Sequence, residues 1–160
     1  LERKIGGGLR RLGIDYGERR WGISYADEIG VATPLPAFVS SQVSARWDAL
    51  GSVIRERRVE ELIVGYPYNM DGSTGMMTGK VDAFVAEIGK RFPSLPVHKV
   101  DERLSSRHAG SHWSLKKLRD ERSSGKLDSQ AACLILQDYI DQVEGLPDFD
   151  LDEEEPADLD

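Results

Sequence analysis

The stretch LGIDYGERRWGISYADE, residues 12–28, places a carboxylate where a core strand should carry none. Leu12 and Ile14 alternate with Gly13 and Asp15, and Gly17 closes the run, which is the pattern of a buried strand. An isolated charge inside such a strand is costly, so Asp15 requires a partner, a metal ion or an opening to solvent. Arg19 and Arg20 follow closely, in the turn before the next alternating segment. A chain built around this strand must bring something to its carboxyl end.

A length of 160 residues allows one domain with a proper core and is too short for two ordinary ones. No apolar run approaches the roughly 18–20 residues of a membrane span, and the N-terminus has no signal-peptide pattern. A single cysteine, Cys133, excludes an internal disulfide and a cysteine-built zinc site, which fits a cytoplasmic setting. The formal net charge of -7 is concentrated at one end: residues 144–160 hold nine of the 28 acidic residues and none of the 21 Lys and Arg. Residues 1–143 are therefore slightly basic, and the overall acidity does not argue against a nucleic-acid partner. The domain organisation expected is a flexible N-terminal segment over 1–8, one folded domain over 9–143 and an acidic disordered tail over 144–160.

The pattern along the chain predicts strands near 9–17, 20–27 and 35–40. A helix follows from Ser44 as N-cap, with Trp47, Leu50, Val53 and Ile54 on its apolar face. ELIVGYP (61–67) reads as a central parallel strand. A second helix within 72–93 buries Val81, Phe84, Val85 and Ile88, and PVHKVDERL (96–104) reads as a last strand. A polar, basic segment leads to a final helix with Ala131, Leu134, Ile135, Tyr139 and Ile140 facing the core. Three antiparallel strands followed by strand–helix alternation give an α/β fold, a mixed five-stranded sheet with helices on both faces. In such sheets, sites collect at the carboxyl ends of the strands.

Three acidic positions stand at such places: Asp15, the pair Asp101–Glu102 and Asp128. Convergent carboxylates repel unless a cation holds them. Hard oxygen donors without His or Cys suit Mg²⁺ or Mn²⁺, and a pair of such ions can hydrolyse a phosphodiester bond. Each acid also has a local alternative. Asp128 suits a helix N-cap, Asp101 and Glu102 suit a solvated strand end beside Arg103, and Asp15 is the hardest to explain locally.

The segments GIDYGERRWGISYAD, IVGYPYNMDGS, VDERLSS and LDSQAACLILQDYID, taken in order over roughly residues 9–142, resemble the successive signatures of the YqgF family. These are pre-16S rRNA nucleases, also called Holliday junction resolvase-like proteins. The resemblance implies an RNase H-like fold and an acidic metal-binding, catalytic triad of Asp15, Glu102 and Asp128, with Asp101 a secondary candidate. It implies Mg²⁺ or Mn²⁺ as cofactor, and precursor ribosomal RNA or branched DNA as partner of a monomer or homodimer, with no membrane partner.

The expected nucleic-acid contacts are Arg19, Arg20, Asn69, Arg103, Lys116, Lys117 and Lys126. Arg19 and Arg20 suit bidentate phosphate contact. Asn69 opens the turn-rich NMDGSTG, where backbone N–H groups could receive a phosphate, although an ordinary strand-to-helix turn has the same composition. Lys116, Lys117 and Lys126 belong to a basic stretch beside Asp128, and Trp113 within it either stacks on a base or anchors the segment. His108 and His112 lack the third ligand of a zinc site. The competing functions are a junction resolvase, which needs two active sites and hence a dimer, and a non-catalytic nucleic-acid-binding module. An actin-like nucleotide clamp would need a second lobe for which the chain is too short.

Overall fold

The computed structural model describes residues 8–68, 71–101 and 127–145. Five strands form one sheet: β1 (Arg11–Asp15), β2 (Trp21–Ala26), β3 (Thr33–Phe38), β4 (Glu61–Tyr66) and β5 (Val97–Asp101), in the spatial order β3-β2-β1-β4-β5. β1 pairs antiparallel with β2 and parallel with β4, and β4 pairs parallel with β5. The edge strand β3 carries Pro34 and Pro36, which lack the N–H groups that would recruit another strand. No helix among the described residues is long and apolar enough to cross a membrane.

Period-two alternation divides the sheet between two cores. Leu12, Ile14, Trp21, Ile23, Leu62 and Val64 face helices α1 (Val43–Glu56) and α2 (Met76–Arg91), meeting Trp47, Leu50, Val81, Phe84 and Ile88. Trp21 sits at the centre of an aromatic cluster, its ring centroid 4.9 Å from Trp47 and 4.8 Å from Phe84. On the opposite face Ala26, Ile63 and Val100 pack on Ile135, Leu136 and Ile140 of helix α3 (Gln130–Glu144). Both faces of β4 are therefore covered, and all six of its residues are buried, as expected of a central parallel strand.

The structure adjusts several expectations. Helix α1 starts at Val43 after Gln42, so Ser44 lies inside the first turn and does not cap it. The buried set of α3 is Ala132, Cys133, Ile135, Leu136 and Ile140, with Ala131 exposed. The run AACLIL is apolar on nearly every side, so helical periodicity alone does not choose its inner face. Gly8 is buried, so close to the Glu28 backbone that a side chain could not fit. Glu144, expected to begin the tail, is the last residue of α3 and holds Arg11 at 2.8 Å.

Candidate active site

Asp15 ends β1, half-buried, on the face that carries α3. The alternation that gives that face to Arg11 and Gly13 assigns it to Asp15 as well. Its antiparallel partner is Gly22, next to a register irregularity between β2 and β3 that spans Trp21 and Ile23. Bulges of this kind re-aim side chains beside sites.

A short 3₁₀ turn, Leu127–Ser129, fills the irregularity. The Ser129 hydroxyl accepts the Ile23 N–H at 2.9 Å and donates to the Leu35 carbonyl at 2.5 Å, bridging β2 and β3. Ser129 is fully buried, so both backbone groups are satisfied where water cannot reach them. A second clamp follows: the Ser24 hydroxyl donates to the Ala132 carbonyl at 2.7 Å and ties the first turn of α3 to β2. The clamps fix Asp128 directly over Gly22. A Cβ at Gly22 would lie 2.5 Å from the Asp128 carbonyl oxygen and 3.3 Å from the Ser129 Cα. Only glycine allows this approach, and it brings Asp128 to the cross-strand neighbour of Asp15.

The Asp128 carboxylate accepts a hydrogen bond from Arg20 Nη1 at 2.8 Å, with the two side chains 34% and 55% exposed respectively. Arg20, expected on substrate, thus rests on one of the proposed ligands. Asp128 is not the helix N-cap of the local alternative; Ser129 holds that place. The glycines two residues either side of Asp15 have other neighbours. Gly13 makes room for Ser24, Leu136 and the Ala132 carbonyl, and Gly17 for the Arg20 carbonyl. Gly22 is the glycine on which the corner depends.

Asp101 is excluded from this corner by alternation. It pairs in parallel register with Tyr66, which packs in the α1–α2 core and donates its hydroxyl to Asp82 on α2. Asp101 therefore belongs to the face opposite Asp15. Glu102, Asn69, Arg103, Lys116, Lys117 and Lys126 lie outside the described residues, as do His108, His112 and Trp113. Among the described residues no three His, Cys, Asp or Glu side chains form a metal-sized cluster. The two acids at the corner, Asp15 and Asp128, are of the hard-oxygen type that Mg²⁺ and Mn²⁺ prefer, and the Arg20 pairing shows that the corner accepts positive charge. Ser129 and Gly22 are the site residues that periodicity and motif reading missed; the signal lay in LDSQ, where a serine follows the acid at a helix start.

The family model for RuvX, described as Holliday junction resolvase, matches residues 9–142. A protein of Opitutus terrae named "Putative pre-16S rRNA nuclease" is 48% identical over 134 residues, 84% of this chain and 92% of that protein. Among solved structures, Fowlpox virus resolvase in complex with Holliday junction DNA aligns with TM-score 0.53 at 10% identity, covering 84% of this chain and 99% of that one. RuvC of Thermus thermophilus in complex with a Holliday junction aligns with TM-score 0.52 at 13% identity, over 86% and 96% of the two chains. At such identities the two structures speak for the fold, which is RNase H-like. The resemblance read from the four motifs is borne out over its whole length: the chain belongs to the RuvX family.

Proposed function

We propose that this chain is a metal-dependent endonuclease that hydrolyses phosphodiester bonds in structured nucleic acid, and that it processes the 5′ end of pre-16S ribosomal RNA in the cytoplasm. The observation that carries the reading is Asp128, held over Gly22 at the cross-strand neighbour of Asp15 by the buried Ser129 hydroxyl. Asp15, Asp128 and Glu102 are the residues that would hold Mg²⁺ or Mn²⁺. When bound, the ion supplies Lewis-acid stabilisation and lowers the pKa of a bound water. The chain's own part is placement. β1 fixes Asp15 by its ladder to β2 and β4, Ser129 fixes the turn that carries Asp128, and Arg20 offsets the charge that the acids accumulate.

The name of the Opitutus terrae relative supports an RNA substrate, and the family description supports a four-way DNA junction as the second reading. Labelled precursor RNA and a four-way junction, each incubated with Mg²⁺ or Mn²⁺, separate the two. Cleavage of the RNA by the wild type, lost in Asp15→Asn, is the expected result. Equal cleavage by both proteins removes Asp15 from catalysis. Symmetric cutting of the junction by a dimer, with the RNA left intact, moves the assignment to the second reading.

A further inference from the structure

Beside the acidic corner lies an open groove of about 440 Å³, lined by Glu18, Arg19, Arg20, Val39, Ser41 and Arg46. Its charges are unequally committed. Glu18 is turned to Lys80 of α2 in an ion pair, and Arg20 is held by Asp128. Arg19 is exposed and pairs with no carboxylate among the described residues.

Arg46 is the unusual member. It is 4% exposed, yet no carboxylate among the described residues pairs with it. Its Nε donates to the Ser40 carbonyl at 2.9 Å and its Nη1 to the Glu18 carbonyl at 3.1 Å, while the guanidinium lies over the Trp21 ring, 5.4 Å from the centroid. Two carbonyls and an aromatic face fix the planar fork but supply no full negative charge. A guanidinium taken out of water without a counter-charge is costly, and one held rigid at the floor of a groove is preorganised for an oxyanion. The start of α1 adds to the same field. It has no acidic residue in its first turn and no side-chain cap, so its positive end is not neutralised.

We propose that this groove binds a backbone phosphate of the substrate strand next to the one at the acidic corner, with Arg46 as its fixed floor and Arg19 as its exposed arm. The proposal rests on the nuclease reading in taking a nucleic-acid strand as the ligand. Arg20 lies at the boundary, lining the groove while holding Asp128, so a strand leaving the corner enters the groove directly.

The test reads binding apart from cleavage. Anisotropy of a fluorescein-labelled RNA hairpin with a single-stranded 5′ extension is followed in EDTA across a salt titration, using the full chain. Arg46→Gln is expected to weaken binding about tenfold at low salt and to flatten the log–log salt slope by about 0.7–0.9, the loss of one phosphate contact. Arg19→Gln shifts both in the same direction by less, and Arg55→Gln, an exposed charge at the far end of α1, leaves the slope unchanged. Single methylphosphonate substitutions along the extension then locate the phosphate: one position weakens wild-type binding and has no effect in Arg46→Gln. An unchanged slope in Arg46→Gln, identical methylphosphonate profiles in the two proteins, or absence of any wild-type binding overturns the proposal. If Arg46→Gln does not fold, Arg19→Gln, which removes the exposed arm, takes its place in the methylphosphonate scan, and a profile identical to wild type is equally fatal. Wild-type cleavage in Mg²⁺ or Mn²⁺ is scored separately. Cleavage with an unchanged Arg46→Gln slope removes the groove alone, whereas a flattened slope without any cleavage removes the nuclease reading alone.

Discussion

Arg11 and Asp15 lie at opposite ends of the same face of β1, and the protein treats their charges in opposite ways. At the amino end Arg11 is 4% exposed and Glu61, on the paired strand, is 6% exposed. The two form an ion pair, Glu144 of α3 adds a second carboxylate at 2.8 Å, and His98 approaches Glu61 at 3.1 Å. The His98 ring stacks on Tyr139 with centroids 5.2 Å apart, closing the network against α3. Burial pushes the Arg11 guanidinium down, but the carboxylates outweigh it and the net shift is upward. At the carboxyl end Asp15 is half-buried, Asp128 is a third exposed, and Arg20 is mostly in solvent. One end closes its charges inside the fold and the other leaves acids accessible. Enclosure makes the first a structural element, and access leaves the second able to do chemistry.

Substitutions at the two ends should therefore fail in different assays. Asp15→Asn is expected to lower metal-dependent cleavage by about a thousandfold, the several kcal/mol that a bound cation supplies to a transition state. Its unfolding free energy in urea should stay within about 1 kcal/mol of wild type, because active-site acids are often neutral or costly to stability. Glu61→Gln should do the reverse. Leaving Arg11 buried with only Glu144 costs about 3 kcal/mol, the low end for breaking a buried pair, and cleavage by the folded fraction should be unchanged. The double variant Arg11→Met, Glu61→Leu should recover most of that loss. An Asp15→Asn protein that unfolds, or a Glu61→Gln protein of wild-type stability, would erase the distinction between the ends.

The sequence carries much of this contrast, but unevenly. Element order and the mixed sheet follow from period-two and period-3.6 patterning, and the strands β1, β2 and β4 lie within a residue or two of their expected bounds. Asp15 is legible because one carboxylate breaks an apolar alternation. Arg11 and Glu61 are not, since each reads as an ordinary charge in the first residues of a strand, and only the parallel register that sets Arg11 against Glu61 shows that both are buried. The same holds for the clamp on Asp128. Ser129 reads as a generic helix-start residue until the irregularity between β2 and β3 supplies the two backbone groups that its hydroxyl bridges. Arg46 sits on the buried side of α1, where a helical pattern assigns an apolar residue. Long-range register and irregularity are set by packing between elements, which local pattern does not encode.

Gly22→Ala sharpens the comparison at the acidic end alone. The new Cβ collides with backbone, the Asp128 carbonyl at 2.5 Å, so the 3₁₀ turn must move away from β2. A displacement of about 1 Å at a catalytic group is worth about a hundredfold in rate, and overpacking costs about 1–3 kcal/mol of stability. Cleavage should fall about a hundredfold while the Arg11–Glu61 end is untouched, so a second substitution Glu61→Gln should add its stability cost independently. Wild-type cleavage by Gly22→Ala would show that the placement of Asp128 over Gly22 is not required.

The smallest effect comes from the other face of the sheet, where the same kinds of charge meet without enclosure. Asp82 of α2 is exposed, accepts the Tyr66 hydroxyl at 2.9 Å and pairs with Lys99 at 3.2 Å. The Tyr66 hydrogen bond, then that of Lys99, holds the Asp82 carboxyl below its ordinary 3.8. A carboxyl depressed in the folded state contributes stability that is present above the unfolded value and lost as pH falls through the folded one. The stability difference between wild type and Asp82→Asn, from urea unfolding between about pH 6 and about pH 2.5, should thus be small and constant at the upper end and vanish at the acid end. Tyr66 gives a second readout of the same contact. Its hydroxyl is raised above 10, first by burial and then by Asp82, so in Asp82→Asn it should move only partway back toward 10 in an absorbance titration. A loss at Asp82 as large as that at Glu61 would mean that enclosure is not what separates a structural charge from an available one, and the contrast between the two ends of β1 would need another cause.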